Sequence, residues 1–329
     1  IDTKKVGQIH FKFFGNKEKL FNFFNMKKSA LLMATQSLTA NMEKRGGGIK
    51  DLVLRDMTES MQNYFVIDMA FDTCDAMGAN FINSVLEKIA AEFIDLALED
   101  NYFEEKNFEI IMSILSNYTP ECRVKAYVEC PIEELGEISG LSAKQYAQKF
   151  HSAVQIAKVN VERAVTHNKG IMNGIDSVIL ATGNDFRAVE SCVHAYAARD
   201  GQYRSLSSCT IDDGIFRFEL EIPLALGTIG GLTSLHPLSR LTLKVLKSPS
   251  ASDLMGIIAC VGLAQNFGAL NSLVTTGIQK GHMKMHLLNI LNQLKASEEE
   301  VKAAKAYFHD KVVSFKNVRE FLEHNNNIH

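Results

Sequence analysis

The sequence predicts an α+β fold: a ferredoxin-like βαββαβ unit, then a mainly helical region with a small helical C-terminal part. Three observations carry this reading. Residues 5–14 alternate apolar and polar in the manner of a half-buried strand. Residues 17–44 instead space Leu20, Phe21, Phe24, Leu31, Leu32, Ala34, Thr35 and Leu38 along one helical face. Beyond Pro120 the alternation gives way to long helical patterns.

The elements follow in order. Gly46, Gly47 and Gly48 end the first helix, because glycine accepts the left-handed cap. Residues 49–57 and 62–71 read as two strands joined by a polar turn at Glu59–Gln62. Asp75-Ala-Met-Gly-Ala-Asn80 opens a second helix, which runs to about Leu98, and a strand follows near 107–116. Strand–helix–strand–strand–helix–strand is the split βαβ arrangement. Arg123–Glu129 forms a further short strand before Pro131, and helices are expected at about 142–167, 170–181 and 186–199. Residues 207–222 read as a hairpin around Asp212-Asp213-Gly214. Gly227, Gly230 and Gly231 mark a loop, and helices are expected at about 235–247, 251–276, 281–294, 298–309 and 315–324. No internal repeat is visible.

Composition narrows the function classes. The chain has 329 residues, 46% hydrophobic and 22% charged, enough for more than one core. A net charge of −3 argues against a broad nucleic-acid footprint. No uncharged apolar run is expected to reach the ~18–20 residues of a membrane span. Six cysteines at irregular, long spacings, with no C-x-x-C pair, point to free thiols in a reducing, cytoplasmic setting rather than to a disulfide framework or zinc knuckle. The start at Ile1, on a strand, leads to the expectation that an upstream segment is missing.

Four clusters could carry chemistry. The first is Thr166-His-Asn-Lys-Gly-Ile-Met-Asn-Gly174, continuing to Ala181-Thr-Gly-Asn-Asp-Phe-Arg187. It sets Lys169 between two helices, with Asp185 opening the next. A partly buried lysine can polarise a carbonyl oxygen while a carboxylate keeps it charged, an effect worth ~3–4 kcal/mol per well-placed donor. The plainer alternative is that Asp185 is only a helix cap and Lys169 a solvated residue. The second cluster is Gly281-His-Met-Lys-Met-His286. His282 and His286 share a helical face, but the H-E-x-x-H glutamate is absent, so no metal is expected. His282 can serve as a general acid, and His286 reads as structural. The third is the glycine run with Asp75–Asn80, where small residues at a helix start let a phosphate approach backbone N–H groups. The fourth comprises Gln265 and Asn266, adjacent amides in an apolar helix, and Arg163, a candidate carboxylate clamp.

Together and in this order, Asp75-Ala-Met-Gly-Ala-Asn80 with Asn83, Arg163 to Asn173, Gly183-Asn-Asp185 and Gly281-His-Met283 resemble the 3-hydroxy-3-methylglutaryl-coenzyme A (HMG-CoA) reductases. The details are most similar to the bacterial class II form, and the resemblance covers essentially the whole chain. It implies an oxidoreductase that reduces HMG-CoA to mevalonate, an isoprenoid precursor, and coenzyme A with two hydrides, or runs the reverse oxidation. By motif, Lys169 resembles the lysine that stabilises the carbonyl oxygen, Asp185 its hydrogen-bonded aspartate, and His282 the flap histidine that protonates the departing thiolate. Arg163 and Asn173 resemble the residues around the HMG carboxylate, and Gln265 and Asn266 a substrate-side amide pair. Asp75, Met77, Gly78, Ala79 and Asn80 resemble the dinucleotide-binding motif, and Asn117 a cofactor-side asparagine. The resemblance further implies a cofactor domain at 8–119, a substrate domain at 120–278 led into by residues 1–7, and a flap at 279–329. It also implies a homodimer, or an assembly of dimers, with shared active sites and no nucleic-acid or membrane partner.

The chain departs from the family pattern in places. The family's Glu-Pro-Ser-Val-Val-Ala-Ala and Glu-Asn-Val-Ile-Gly motifs find no match. Two expectations compete: a chain lacking that segment, and a catalytically inactive coenzyme A- or nucleotide-binding relative. A third, a purely structural helical scaffold, would hold Lys169, Asp185 and Asn266 apart. Phe186 stands where tryptophan is common, and Met285 where leucine is, both tolerable apolar swaps. Thr35–Asn41 carries no acid, and Lys44 and Arg45 follow it. Arg45 therefore joins the cofactor-side residues, and NADPH is favoured over NADH.

Overall fold

The computed structural model describes residues 1–308 and 311–326, apart from the side chains of residues 100, 278–285, 325 and 326. The chain divides into two compact units. One comprises Ile1–Val128, Val154–Ser208 and Arg217–Gln265; the other comprises Glu129–Ala153, Cys209–Phe216 and Asn266–His329.

The first unit begins with β1 (Lys5–Phe13), α1 (Lys17–Ala34), α2 (Gln36–Glu43), β2 (Gly48–Asp56), β3 (Tyr64–Asp72), α3 (Ala79–Leu98) and β4 (Phe108–Ser116). The four strands form one sheet in the order β2-β3-β1-β4. Every neighbouring pair is antiparallel, with Ile9 opposite Ile67 in β3 and opposite Ser113 in β4. Strict alternation along β1 sends Ile9, Phe11 and Phe13 to the covered face. There they meet Leu20, Phe23 and Phe24 of α1 and Val85, Leu86, Ile89 and Phe93 of α3. Rings meet edge-on, Phe11 with Phe93 at 5.5 Å and Phe13 with Phe103 at 5.3 Å, a geometry worth ~0.5–1.5 kcal/mol per pair beyond burial.

The expected helix over 17–44 is two helices. Thr35 interrupts it: its hydroxyl and its N–H both donate to the Leu32 carbonyl, closing the α1 end. The second helix of this region starts at Ala79 rather than Asp75, since residues 73–78 form a tight turn.

Next come β5 (Arg123–Pro131), α4 (Ala143–Val159), α5 (Val161–Ala181), α6 (Phe186–Ala197), β6 (Ser207–Asp212), β7 (Ile215–Pro223), α7 (Gly231–Leu235), α8 (Pro237–Val245) and α9 (Ala251–Val274). The second sheet has the order β5-β7-β6. The helix boundary expected near Lys169 lies instead at Asn160. Asn160 takes extended dihedrals and its side chain accepts the Arg163 N–H, a full N-cap. Gly170 costs a helix only ~1 kcal/mol, too little to break one so capped. Lys169 is therefore inside α5, not between helices.

The membrane expectation also needs correcting. Among the described residues α9 is long and apolar enough to cross a membrane by length and composition. Its Leu254, Met255, Ile258, Ala259 and Leu263 are buried in the folded chain.

The second unit contains the remaining helices, α10 (Ile278–Gln293), α11 (Glu298–Tyr307) and α12 (Phe315–Asn326). Leu287, Ile290, Leu291, Ala304, Phe308, Val318 and Leu322 build its core. A capping box between Ser297 and Glu300 starts α11. In the same unit Tyr146 donates to Asn271 Oδ1 at 3.0 Å.

Candidate active site

The turn between β3 and α3 is fixed from several sides. Asp72 Oδ1 accepts the Cys74 N–H, and Asp75 Oδ1 accepts the Ala251 N–H at 2.7 Å, at the start of α9. The Asp75 carbonyl accepts the N–H groups of Thr228 and Ile229. Gly78 sits at φ 87° and caps α3. A Cβ there would collide with Thr73, so the left-handed position and the close approach both demand glycine. Ala79 and Asn80 begin the helix, with Asn80 exposed. Asn83 accepts the Leu115 N–H at 2.9 Å and so ties α3 to β4. Met77 and Asn117 line one small cavity together with Lys5, Ser116, Thr119 and Cys192. The bare backbone at Gly78 and the first turn of α3, which no side chain caps, fit the approach of a dinucleotide's phosphates. Arg45 is exposed just beyond α2, and its carbonyl accepts a weak bond from Cys74 Sγ.

The α5 segment splits its polar residues between two faces. His167 and Asn168 turn inward. Asn168 donates to the Arg204 carbonyl and accepts the Leu206 N–H, while His167 Nε2 lies 2.7 Å from Ser207 Oγ. Burial, with Arg163 nearby, pushes the imidazole down to about 3, so it is neutral at physiological pH. Lys169 and Asn173 turn outward and are exposed. Among the described residues Lys169 has no hydrogen-bond or ion-pair partner.

Asp185 caps α6, accepting the Arg187 and Ala188 N–H groups, and pairs through both oxygens with the Arg187 guanidinium. The Arg187 bonds, then the backbone N–H groups, hold its carboxyl below the usual range. Accordingly, no hydrogen bond joins Asp185 to Lys169 among the described residues. Gly183, at φ 74°, precedes it. Asn184 between them accepts the Gly227 N–H at 2.9 Å, which anchors this corner to the glycine loop.

One helical turn beyond Asn173, Asp176 faces Glu190 of α6. Burial and the neighbouring carboxylate push Asp176 up to about 7. Arg163 is half-buried in the first turn of α5, and burial lowers its pKa. Gln265 is exposed on α9, and its Cβ would stand 3.0 Å from a Cβ at Gly174, so α5 and α9 pack closely there. Asn266 is buried and already bonded. His282 is on α10, and its side chain lies outside the described residues. Among the described residues no group of three His, Cys, Asp or Glu is placed to hold a metal ion.

Sequence reasoning missed Lys5, Thr73 and Asn184. Lys5 had a readable signal, for it occupies the inward phase of the alternating strand.

A family model for hydroxymethylglutaryl-coenzyme A reductase matches residues 2–287. A probable 3-hydroxy-3-methylglutaryl-coenzyme A reductase of Borreliella burgdorferi is 40% identical over 295 residues, 88% of this chain and 64% of the relative. The Archaeoglobus fulgidus reductase is 35% identical over 280 residues, 84% of this chain and 61% of that protein. The chain thus spans under two thirds of the length of these curated relatives. A solved reductase from Streptococcus pneumoniae superposes with a TM-score of 0.76 at 34% identity, covering 98% of this chain and 75% of the other. A class II structure from the same organism, bound to NADPH in open conformations, gives the same TM-score and identity, with 99% of this chain and 77% of that one covered. With the family matched over most of its length and the fold shared with solved members, the chain belongs to the hydroxymethylglutaryl-coenzyme A reductase family.

Proposed function

We propose that this chain carries the cofactor- and substrate-binding machinery of an oxidoreductase that reduces HMG-CoA to mevalonate and coenzyme A, or runs the reverse oxidation. The observation that carries the reading is the family match over residues 2–287. The NADPH-bound class II relative supports a nicotinamide cofactor. The order β2-β3-β1-β4 supports reading residues 8–119 as a ferredoxin-like cofactor domain. It would be inserted in a helical substrate domain of 120–278, led into by residues 1–7, with a helical flap at 279–329.

When bound, the nicotinamide supplies hydride to the substrate carbonyl carbon. Asp75, Met77, Gly78, Ala79, Asn80 and Asn117 hold the dinucleotide, and Arg45 meets the 2′-phosphate of NADPH. The Lys169 ammonium donates to the carbonyl oxygen and offsets the negative charge that grows there. Its exposure leaves it free for substrate. Asp185, once paired with Lys169, would keep the lysine charged. Arg163 and Asn173 hold the HMG carboxylate, with Gln265 and Asn266 beside the substrate. His282 gives a proton to the departing thiolate, which stops its return to the aldehyde. Closure of the flap excludes water. The working protein is a cytoplasmic homodimer, or an assembly of dimers, with shared sites.

The test is HMG-CoA-dependent oxidation of NADPH by the complete protein, with release of free thiol followed in parallel. Oxidation coupled to thiol release supports the reading. Tight binding of both ligands without turnover favours an inactive binding relative instead.

A further inference from the structure

We propose that Lys5 is a positioning residue that sets the Thr73–Gly78 turn for the dinucleotide. The inference rests on reading that turn as the cofactor site. Lys5 lies on β1, remote in sequence from the turn, and is only 4% exposed. Its Nζ donates to Thr73 Oγ1 at 2.6 Å and to the Ala76 carbonyl at 3.1 Å. The Thr73 hydroxyl in turn donates to the same Ala76 carbonyl at 2.6 Å. Thr73 is fully buried. Ammonium, hydroxyl and carbonyl thus close a triangle beneath the turn.

A buried ammonium is costly unless its hydrogens are used, so this one is held where it is by its acceptors. The consequence runs through the peptide plane. With the Ala76 carbonyl drawn down to Lys5 and Thr73, the trans peptide turns the Met77 N–H to the opposite side. The same Thr73 methyl is what a Cβ at Gly78 would strike, so one residue sets both the carbonyl and the glycine cap. Lys5 acts through Ala76 and Thr73.

A cavity of about 20 Å³, the size of a water molecule, adjoins Lys5. The 329-residue chain is titrated with NADPH by nucleotide fluorescence, and HMG-CoA affinity is measured in parallel. For Lys5→Met, NADPH affinity is expected to fall about tenfold, the scale of a lost charge-assisted bond, with HMG-CoA affinity unchanged. Lys5→Met binding NADPH as tightly as the unaltered chain overturns the proposal. Equal weakening of both ligands also overturns it, because the role is then structural only. If Lys5→Met does not fold, Thr73→Val, which removes the hydroxyl at nearly constant volume, must show the same split, and its absence is decisive. An unaltered chain that binds HMG-CoA but no NADPH refutes the reading of the turn, and the role of Lys5 falls with it.

Discussion

The Thr73–Gly78 turn and the outward face of α5 place their polar groups in opposite ways. In the turn, Asp75 is bonded to Ala251, Thr228 and Ile229, and Ala76 is bonded to Lys5 and Thr73. On α5, Lys169 and Asn173 project into solvent without side-chain partners among the described residues, while their neighbours His167 and Asn168 are bonded inside. A turn that binds through its backbone must be shaped beforehand. A side chain that binds through its tip can stay exposed until substrate completes it.

The sharpest way to break this contrast is Gly78→Ala. Alanine at φ 87° is strained and meets Thr73, so a stability loss of about 1–3 kcal/mol and a loss of NADPH affinity are expected. Thermal melting with and without nucleotide reads both. A variant as stable as the parent would mean that the turn is not preset.

The second prediction probes the α5–α6 side. Asp176 keeps its proton up to about 7 in the folded chain, against an ordinary value of 3.8. Folding therefore takes up a proton between these values, and this carboxyl makes stability fall as pH rises from about 4 to about 7. His167 acts with the opposite sign. Held down at about 3, it makes stability rise with pH up to its ordinary 6.5. The informative quantity is thus the difference between variants. Glu190→Gln is expected to make the slope of melting temperature against pH more positive than the parent's between pH 5 and pH 7 (about the window of the shift). An identical slope in parent and variant would show that the two carboxyls do not share a proton.

The smallest effect concerns cofactor choice. Arg45→Ala is expected to raise KM for NADPH a few-fold more than KM for NADH, since only the former offers a 2′-phosphate. Equal changes would remove Arg45 from the site.

Much of this was legible in the sequence, for local reasons. The alternation of β1 shows which residues enter the core, whereas the α3 start lies at Ala79, past the Asp75 at which the motif was expected to open the helix. The residues that could not be read act at a distance. Lys5 is 68 positions from Thr73, and only the strand register of β1 on β3, Lys5 opposite Phe71, brings them together. The start of α5 differs from the boundary expected near Lys169 because the Asn160 cap decides it. The Asp185–Arg187 pair is local, joining two residues of one motif.

One measurement tests the functional reading most directly: HMG-CoA-dependent NADPH oxidation by the complete protein beside its Lys169→Ala variant. The account predicts turnover in the parent and a loss of at least about 100-fold in the variant, the scale of one oxyanion donor. A variant that keeps near-full rate would contradict it.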